Sequence, residues 1–531
     1  MMTTSATSDQ SVTIVQLSGK SRIPLPGHTV FLLFAMLVTG CASVPNDYPQ
    51  TTSSAFTNYL DTSVGQLFEE EAVKHPGESG FSIITRGRRG FNARIAMAEL
   101  AEKTLDLQYY VWEADETGWL LAEHVLKAAD RGVRVRILVD DITLAGRDTG
   151  AASLDAHPNI ELRVFNPFAH RDARLIDFTT DLGRVNHRMH NKIYVMDNAV
   201  AIIGGRNIGN HYFNVDAHAN FRDLDIAAAG PVVREISNVF DYFWNGDWAV
   251  PIAALADRTY TNEDLEAARH NVRELIAVGT YPHPLGQDVD TLRSDLLSIR
   301  DRFIWAPGQI IWDDPAAIKE GMKAGKLITA LHNKLETLQS ELLMEAAYFI
   351  VMERAVENTK RAIDRGVNVR VLTNSLASND VLAAHAGYSQ TRKELIANGM
   401  EIYELRPDAV AVKQRNYAAE SKTGLHAKAM VFDRESVFIG SFNLDPRSAN
   451  INTEAGLYVE SPELAGQVAE FMDEGVRPEN SYRVLLDDEG NLVWVTEIDG
   501  EEVRYDDEPE TTFGQRFMSD FISILPVDDH L

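Results

Sequence analysis

The chain contains only one cysteine, Cys41, among 531 residues. No intramolecular disulfide is therefore possible. Positive charge is also scarce, because 50 lysines and arginines stand against 78 aspartates and glutamates and the formal net charge is -28. A surface this acidic repels nucleic acid and anionic lipid head groups at long range, so no nucleic-acid partner is expected. Any phosphate that the protein handles must be attracted by a local basic pocket.

The single cysteine ends an apolar stretch, FLLFAMLVTGC. That stretch is too short to cross a bilayer, which takes about 20 apolar residues, but with the basic residues before it the stretch is typical of a signal peptide. The ending VTGC resembles the lipobox of bacterial lipoproteins. This implies a signal peptide at 1–40, a lipidated Cys41, a tether and N-terminal segment at 41–79, and, with Ala42 next, an anchor on the periplasmic side of a Gram-negative-type outer membrane. An ordinary buried thiol is the alternative.

Hydrophobic residues make up 45% of the sequence and charged residues 24%, which is a globular composition. At this length a single core is unusual, so two domains or a duplicated unit is expected. The segment KAADRGVRVRIL recurs as RAIDRGVNVRVL. Each copy predicts the end of a helix, a turn at Gly132 or Gly366 where a positive φ is needed, and then a strand.

A second pair of segments makes the duplication firm. HNKIYVMDNAVAIIGGRN begins at His190, and HAKAMVFDRESVFIGSFN begins at His426. The histidines (426 − 190), the aspartates (433 − 197) and the final asparagines (443 − 207) are all 236 residues apart. Both segments therefore carry H-x-K-x-x-x-x-D, a glycine-containing turn and an asparagine in one register, which an accidental match would not produce.

The duplication sets the expected boundaries. The segment after about 480 predicts a hairpin that turns at Asp499 and Gly500, followed by an amphipathic closing helix. The chain then divides into a first half at 80–258, an insertion without counterpart at 259–326, a second half at 327–480, and the hairpin and helix at 481–531.

The paired motifs carry residues suited to phosphate chemistry. His190 and Lys192 are two residues apart and share one face of a strand, and the same holds for His426 and Lys428. Imidazoles can exchange protons or attack, while lysine ammonium groups neutralise phosphate oxygens. Asp197 and Asp433 belong to the same motifs.

These two aspartates fall at the turn that ends each motif strand. A carboxylate at a turn more readily binds the backbone or anchors a basic side chain than reacts, so Asp197 and Asp433 are interpreted as structural members of the catalytic motif. The strand that follows leads to a glycine turn, which lets the backbone approach a ligand closely. Asn207 and Asn443 come after that turn and are expected to donate to the substrate phosphate.

Two copies of the motif make chemical sense for displacement at phosphorus. The nucleophile and the leaving oxygen lie on opposite sides, so one imidazole cannot both attack and protonate the departing alkoxide. One histidine would form a phosphohistidine, and the other would serve as general acid and base. No metal and no cofactor is expected, because the two lysines already neutralise the phosphate. The segment HRMH contains His187 and His190, which could bind a metal as a pair, but the proposed reaction at phosphorus already requires His190.

Each histidine also needs its distal nitrogen fixed by an acceptor. The segment RDLDIAAAG offers Asp223 or Asp225, and NTEAGLYVE offers Glu454. Matching DLDI with EAGL makes Asp223 the counterpart of Glu454, and these two are the predicted orienting acids. Arginines before the first motif, among them Arg171, Arg174 and Arg188, either focus phosphate into the site or belong to a solvated loop.

The paired motifs resemble those of the phospholipase D superfamily. Within it, LDLQYYVWEADETGWLL, IIGGRNIGNHYF and the C-terminal EPETTFGQRFMSDFISILPVDDHL resemble the bacterial cardiolipin synthase C type, and the match runs from about Gly80 to the end. Ser441 in GSFN fits the commoner family pattern and is assigned to the phosphate with the asparagines. Arg206 in GGRN departs from that pattern, and either reaches a head group or packs outside the site.

The resemblance implies an α/β fold of two α/β/α sandwich halves about a pseudo-twofold axis, with the active site at their interface. It also implies that His190 is the nucleophile and His426 the general acid and base, although the residues alone leave that choice open. The implied function is a phosphatidyltransferase that forms cardiolipin from phosphatidylglycerol and a second phospholipid. Phospholipase D hydrolysis to phosphatidic acid, a nuclease and a non-catalytic lipid-binding module are the alternatives. The expected partners are phospholipids and a membrane reached by the lipid anchor; the oligomeric state is left open.

Overall fold

The computed structural model describes residues 43–49, 51–279, 281, 289–319, 325–413 and 421–523. Cys41 and the apolar stretch before it lie outside the described residues, and so do the predicted signal peptide and lipidation site. Within the described ranges, no helix has both the length and the apolar character required to span a membrane.

Ten strands build the first half and the edge of its sheet. They are β1 (Ser79–Ile84), β2 (Thr104–Tyr109), β3 (Arg134–Asp140), β4 (Ile160–Phe165), β5 (Ile193–Met196), β6 (Val200–Gly204), β7 (Ala219–Arg222), β8 (Asp225–Ala229), β9 (Ala249–Pro251) and β10 (Ile304–Ala306).

Eleven strands build the second half. They are β11 (Gly308–Trp312), β12 (Glu341–Ala346), β13 (Asn368–Asn374), β14 (Glu401–Leu405), β15 (Lys422–Leu425), β16 (Lys428–Phe432), β17 (Ser436–Gly440), β18 (Ala455–Glu460), β19 (Ser481–Leu486), β20 (Leu492–Ile498) and β21 (Glu501–Tyr505).

Helices connect these strands in both halves. The α-helices are Ser63–Ala72, Gly87–Leu100, Glu116–Asp130, Asp148–Asp155, Leu175–Thr180, Leu182–Val185, Pro231–Trp244, Ile252–Leu255, Asn262–Val278, Val289–Arg300, Pro315–Lys319, Lys326–Glu336, Glu353–Asp364, Leu382–Ala397, Val410–Lys413, Pro446–Asn450, Pro462–Gly475 and Phe513–Ser523. Three short 3₁₀ helices are Tyr59–Asp61, Asp141–Thr143 and Asn210–Phe213.

The two large sheets share the order and direction of eight strands, β1-β8-β6-β5-β2-β3-β4-β9 and β11-β18-β17-β16-β12-β13-β14-β19. The first has the strand order β10-β1-β8-β6-β5-β2-β3-β4-β9, and the second has β11-β18-β17-β16-β12-β13-β14-β19-β20-β21. In each sheet three central strands are parallel, β2 to β4 and β12 to β14, while their neighbours run antiparallel. The duplication indicated by the motifs therefore extends over these eight strands, and the prediction of an α/β fold with two equivalent halves is confirmed.

The boundary of the second half differs from the predicted one. β11 pairs antiparallel with β18, as β1 pairs antiparallel with β8. Gly308–Trp312 is thus the counterpart of the first strand, and the second half begins there rather than at 327. Sequence comparison missed this strand because the two segments share a position in the sheet but not a residue pattern.

The helices that the structure describes in the predicted insertion before β11 pack on the first half. The helix Asn262–Val278 contacts the helices Glu116–Asp130 and Asp148–Asp155, and Val289–Arg300 contacts Gly87–Leu100. β10 then adds a strand to the first sheet by pairing with β1. The segment therefore thickens the outer helical layer before the chain crosses to the second sheet.

Both faces of each central strand are buried, in different cores. In β5, Ile193 and Val195 belong to a central core shared by the two halves, whereas Tyr194 and Met196 belong to the outer core of the first half. The helices Pro231–Trp244 and Pro462–Gly475 add apolar side chains to this central core, beside those of strands from both sheets. The halves are thus joined by one continuous hydrophobic layer, as expected for sheets covered on both faces.

Local turn chemistry follows the sequence. Gly132 and Gly366 adopt φ of 95° and 94°, so each helix-to-strand junction uses the left-handed region that glycine tolerates. Asp499 and Gly500, with φ of 53° and 83°, connect β20 to β21 as predicted for the hairpin. The closing helix Phe513–Ser523 packs on the helix Leu382–Ala397.

The motif aspartates act on the backbone. Asp197 accepts hydrogen bonds from the N–H groups of Glu102, Lys103 and Thr104 at 3.0, 2.8 and 2.7 Å. Asp433 does the same for Gln339, Ser340 and Glu341 in the second half. Each carboxylate thereby fixes the loop that enters β2 or β12 to the turn after the motif strand.

Replacement of Asp197 by alanine is expected to destabilise the fold by about 3 kcal/mol, because one buried and two partly buried N–H groups lose a charged acceptor. Asp197→Asn keeps one acceptor oxygen and should cost about 1 kcal/mol, which makes it the matched control. The measurement is the free energy of unfolding in urea. An Asp197→Ala protein as stable as the wild type would contradict the structural role.

Candidate active site

The motif histidines lie at the edge of the sheets where the parallel strands end. Asp140, the last residue of β3, accepts a hydrogen bond from the N–H of Met189 at 2.8 Å. Asn374, the last residue of β13, accepts one from the N–H of Leu425 at 2.7 Å. In each half, therefore, the end of the central parallel strand fixes the residue directly before the histidine, at the usual ligand-binding edge of an α/β sheet.

The backbone of each histidine is bonded to the opposite half. The N–H of His190 donates to the carbonyl of Thr453 at 2.9 Å, and the N–H of His426 donates to the carbonyl of Arg222 at 2.8 Å. β7 and β15, from different halves, form a parallel pair that leads into the second contact. The residues after Thr453 and Arg222 are the two predicted orienting acids, so this pairing delivers each acid to the other half's histidine.

Each imidazole accordingly contacts a carboxylate from the other half. His190 Nδ1 lies 3.0 and 2.9 Å from the two oxygens of Glu454, and His426 Nδ1 lies 2.7 Å from Asp223 Oδ2. The carbonyl of Ser441 is also 3.1 Å from His190 Nδ1. Because only acceptors surround each Nδ1, that nitrogen carries the proton and Nε2 is left with its lone pair.

The two lysines are buried beside the histidines. Lys192 Nζ donates to the carbonyl of His190 and Lys428 Nζ to the carbonyl of His426, both at 2.5 Å. Burial lowers the pKa of Lys428 to about 8, against the opposing charges of Asp223 and Glu454. Burial and the charge of Lys428 also lower the pKa of Lys192 well below its ordinary value. Such ammonium groups are poorly compensated and attract an anion.

The histidines belong to one electrostatic cluster. Burial, Lys192 and Lys428 lower the pKa of His190 well below its ordinary value. Burial and Lys428 lower the pKa of His426 to about 4, while Asp223 raises it and Lys192 lowers it further. Each imidazole is thus influenced by the lysines of both halves, so the two motifs form one site and both rings are neutral at neutral pH.

The two orienting carboxyls differ in charge. Burial raises the pKa of Glu454 to about 7, although Lys192 and two serine hydroxyls oppose this. For Asp223, burial is outweighed by the charges of His426, Arg206 and Lys428, and its pKa falls to about 2. Asp223 is therefore fully ionised at neutral pH and Glu454 is not, which distinguishes two otherwise equivalent pairs.

Ser441 supports Glu454 instead of occupying the position predicted for it. Its hydroxyl donates to Glu454 Oε2 and accepts from the N–H of Ala455, so its proton is not directed at a substrate phosphate. Ser448 donates to the other oxygen of Glu454 at 2.8 Å. In the first half the position of Ser441 is taken by Gly205, where a Cβ atom would lie 2.1 Å from an Asp223 oxygen.

The two asparagines are differently engaged. Asn207 Oδ1 accepts from the N–H of Val111 at 3.1 Å, and its Nδ2 donates to the hydroxyl of Tyr212 at 3.0 Å. Asn443 is buried, and its Oδ1 has no hydrogen-bond partner among the described residues. Asn207 thus braces its own half, and the phosphate-binding role predicted for both amides stays a prediction.

Sequence reasoning missed the aromatic side chains around the histidines. Tyr110 packs edge-on against His190, with ring centroids 4.8 Å apart, and Tyr212 packs edge-on against His426 at 5.0 Å. Phe221 lies on the second imidazole at 5.1 Å. Tyr110 and Tyr212 lie in the segments LDLQYYVWEADETGWLL and IIGGRNIGNHYF, which resemble the family, and that resemblance was the available signal. The duplication gave none for Tyr212, because in the motif register its position is a serine in the other half.

Asp313 was also missed, because it follows β11 in the segment interpreted as an insertion. It accepts from the N–H of Glu454 at 3.2 Å, and its own N–H donates to the carbonyl of Glu454 at 2.9 Å. Burial raises the pKa of Asp313 to about 7. The segment therefore reaches the residue that orients His190.

The arginines before the first motif are paired with acids. Arg171 and Arg174 form ion pairs with Asp141, and buried Arg188 pairs with Asp140. They hold the loop in place, which argues against the idea that they focus phosphate. Arg206 is fully buried and donates to backbone carbonyls, including those of Ile84 and Asp223, so it neither reaches a head group nor packs outside.

His187, which raised the question of a metal pair with His190, is directed elsewhere. Its Nδ1 lies 2.7 Å from the carbonyl of Ile451 in the second half. Among the residues that the structure describes, no group of three or more His, Cys, Asp or Glu side chains is placed to hold a metal ion.

These features define a class: a duplicated α/β protein with two crossed imidazole–carboxylate pairs and two buried lysines, suited to displacement at phosphorus. Comparison with known proteins agrees. The family model described as "Cardiolipin synthase, PLD-like domain" matches residues 94–244 and 331–475. The chain belongs to this family and is an enzyme of the phospholipase D superfamily, of the cardiolipin synthase-like phosphatidyltransferase type.

Individual relatives span most of the chain. Cardiolipin synthase C of Escherichia coli (strain K12) is 37% identical over 86% of this chain and 97% of its own length. An uncharacterised Helicobacter pylori protein (strain 26695) is 28% identical over 94% of this chain and 99% of its own. The crystal structure of phosphatidylserine synthase from Haemophilus influenzae Rd KW20 is similar in fold, with a TM-score of 0.55 at 12% identity, covering 88% of this chain and all of that one.

Asp223→Asn is expected to lower the pKa of His426 below its value of about 4, because the carboxylate raises it. The measurement is an NMR titration of ¹³C-labelled histidine, with the His426 signal assigned from a His426→Gln protein. The control is Asp488→Asn, in the exposed turn between β19 and β20, which should leave the titration unchanged. An upward shift in Asp223→Asn would contradict the assigned contact.

Proposed function

We propose that the protein forms cardiolipin from phosphatidylglycerol and a second phospholipid through a phosphohistidine intermediate. The observation that carries the proposal is the crossed pairing of His190 with Glu454 and His426 with Asp223, with both lysines in the same cluster. A binding module has no use for two imidazoles whose Nδ1 atoms are fixed and whose Nε2 atoms are left free. The family membership supports the same reaction class.

In the first step, His190 attacks the phosphorus of a donor lipid with the Nε2 lone pair. The new N–P bond replaces the bond from phosphorus to the head-group oxygen, and the departing alkoxide takes a proton from the imidazolium of His426. The ammonium groups of Lys192 and Lys428 compensate the phosphate oxygens. The anionic phosphodiester itself raises the pKa of the nearby His426, so that this ring can hold the required proton.

In the second step, neutral His426 takes the proton of a head-group hydroxyl on the acceptor lipid. The hydroxyl oxygen attacks phosphorus and the N–P bond breaks, which returns His190 to its starting state. Phosphatidylglycerol as acceptor gives cardiolipin; water gives phosphatidic acid instead. Both outcomes share the first step.

The unequal carboxyls favour His190 as nucleophile. Asp223, with its pKa near 2, stays negative and stabilises an imidazolium at His426. Glu454, with its pKa near 7, carries less negative charge and so favours the neutral imidazole that an attacking histidine needs. The roles of acid and nucleophile therefore follow the ionisation of their partners.

Transfer is favoured over hydrolysis by the proposed setting. A protein anchored by a lipidated Cys41 at the outer membrane would meet donor and acceptor lipids in one plane, where lipid hydroxyls are concentrated. The net charge of -28 makes a polyanionic nucleic-acid substrate unfavourable. Hydrolysis of phospholipid is the second candidate.

Purified protein incubated with phosphatidylglycerol vesicles, with and without phosphatidylethanolamine, is expected to yield cardiolipin, identified by mass spectrometry. His426→Gln should reduce the rate by about 10²–10⁴-fold, because a general acid and base is lost. The control is Glu357→Gln, a change of an exposed residue on the helix Glu353–Asp364. Phosphatidic acid as the sole product would establish hydrolysis, and no turnover would favour a binding module.

Acid-free denaturation during turnover is expected to trap a covalent phosphatidyl adduct on His190. The adduct should be absent from His190→Ala, and peptide mass spectrometry after digestion gives its position. An adduct that persists in His190→Ala and disappears in His426→Ala would reverse the two roles.

A further inference from the structure

An apolar cavity lies in the second half, between the sheet and the helices Lys326–Glu336 and Glu353–Asp364. Its volume is about 390 Å³, within the range of about 300–1,000 Å³ of ligand pockets. Leu331, Met344 and Ala362 are among the side chains that line it from three directions. A close-packed protein interior leaves few voids larger than a water molecule, so a space of this size with this lining fits an apolar ligand.

The cavity borders the active site. Phe442, Leu444 and Asp445 line it, and the residue before Phe442 is Ser441, whose hydroxyl donates to Glu454. One short segment therefore separates the apolar space from the carboxyl that orients the proposed nucleophile.

The cavity also reaches the surface at the catalytic edge of the sheet. Met352, which is 39% exposed, is among its lining residues and follows the carboxyl end of β12. Val381 and Val410, 38% and 44% exposed, follow the ends of β13 and β14 at the same edge. Met352 thus connects the cavity with the surface, and further apolar side chains are exposed at the edge of the sheet where the histidines lie.

The first half has a different cavity near the helix Gly87–Leu100, which corresponds to Lys326–Glu336 because each lies between the first two strands of its half. That space, of about 830 Å³, is lined in part by Arg88, Arg89 and Arg302, which do not suit an alkyl chain. The two cavities are therefore chemically different, and the one in the second half is the more apolar.

We propose that this cavity binds one acyl chain of a phospholipid whose phosphate lies between His190 and His426. The inference rests on the proposed function, which supplies a lipid with a phosphodiester in the site. The shared segment, the apolar lining and the entrance at Met352 together specify an alkyl chain as the occupant. Its role is to position the lipid phosphate relative to the imidazoles.

The chain-length dependence of the reaction tests this. Dibutyryl and dihexanoyl phosphatidylglycerol, both as monomers, differ by two methylenes in each chain, and burial of two methylenes favours the longer lipid by about tenfold in kcat/KM. Ala355→Phe and Ala362→Phe, two independent fillings of the cavity, should reduce this preference to about twofold. Glu357→Phe, on the outer side of the same helix, should keep it.

Photolabelling gives a readout that does not require turnover. Phosphatidylglycerol with a diazirine at the end of one acyl chain is expected to label peptides from Lys326–Glu336 and Glu353–Asp364 in the wild type, and to label them less in Ala362→Phe. Labelling confined to other peptides, or a chain-length preference unchanged in both filled variants, would overturn the acyl cavity. Absence of turnover with specific labelling of these peptides would reject the proposed function and keep the cavity.

Discussion

The exchange of carboxyls between the halves is the contact on which the site depends. Glu454 of the second half holds His190 of the first, and Asp223 of the first holds His426 of the second. A buried imidazole and a buried carboxyl are each costly unless they satisfy one another, so neither half can complete its own pair. The common apolar layer and the parallel pairing of β7 with β15 fix the distance across which these bonds form.

The two buried lysines supply the local positive charge that so acidic a protein needs in order to bind a phosphate. With a net charge of -28, its long-range field repels anions, and the arginines near the first motif are already paired with aspartates. The attraction must be local, and Lys192 and Lys428 provide it because burial leaves their charges poorly compensated. An anion that enters the site compensates the charges of the two lysines. Binding of an anionic substrate and neutralisation of these charges are therefore one event.

The halves are equivalent in topology and unequal in chemistry. A glycine at 205 makes room for the short Asp223, whereas Ser441 and Ser448 surround the longer Glu454. The two carboxyls consequently ionise differently, and one imidazole is better suited to carry charge. The apolar cavity, present beside the second half's motif, adds a further difference. Duplication supplied a symmetric frame, and the differences between its copies are the basis of the proposed assignment of acid, nucleophile and acyl-chain site.

By itself the sequence determined the duplication, the α/β class, the paired histidine and lysine motifs and the two candidate acids, because these are local patterns with a fixed period and register. The sequence indicated that Asp197 and Asp433 are structural, but it did not determine which loops they bind, that Ser441 holds Glu454, or that β11 begins the second half. It also left open which acid serves which histidine and concealed Tyr110, Tyr212 and Asp313. Those depend on contacts between residues far apart in the chain, and only the packing of one half against the other brings such residues within hydrogen-bond distance.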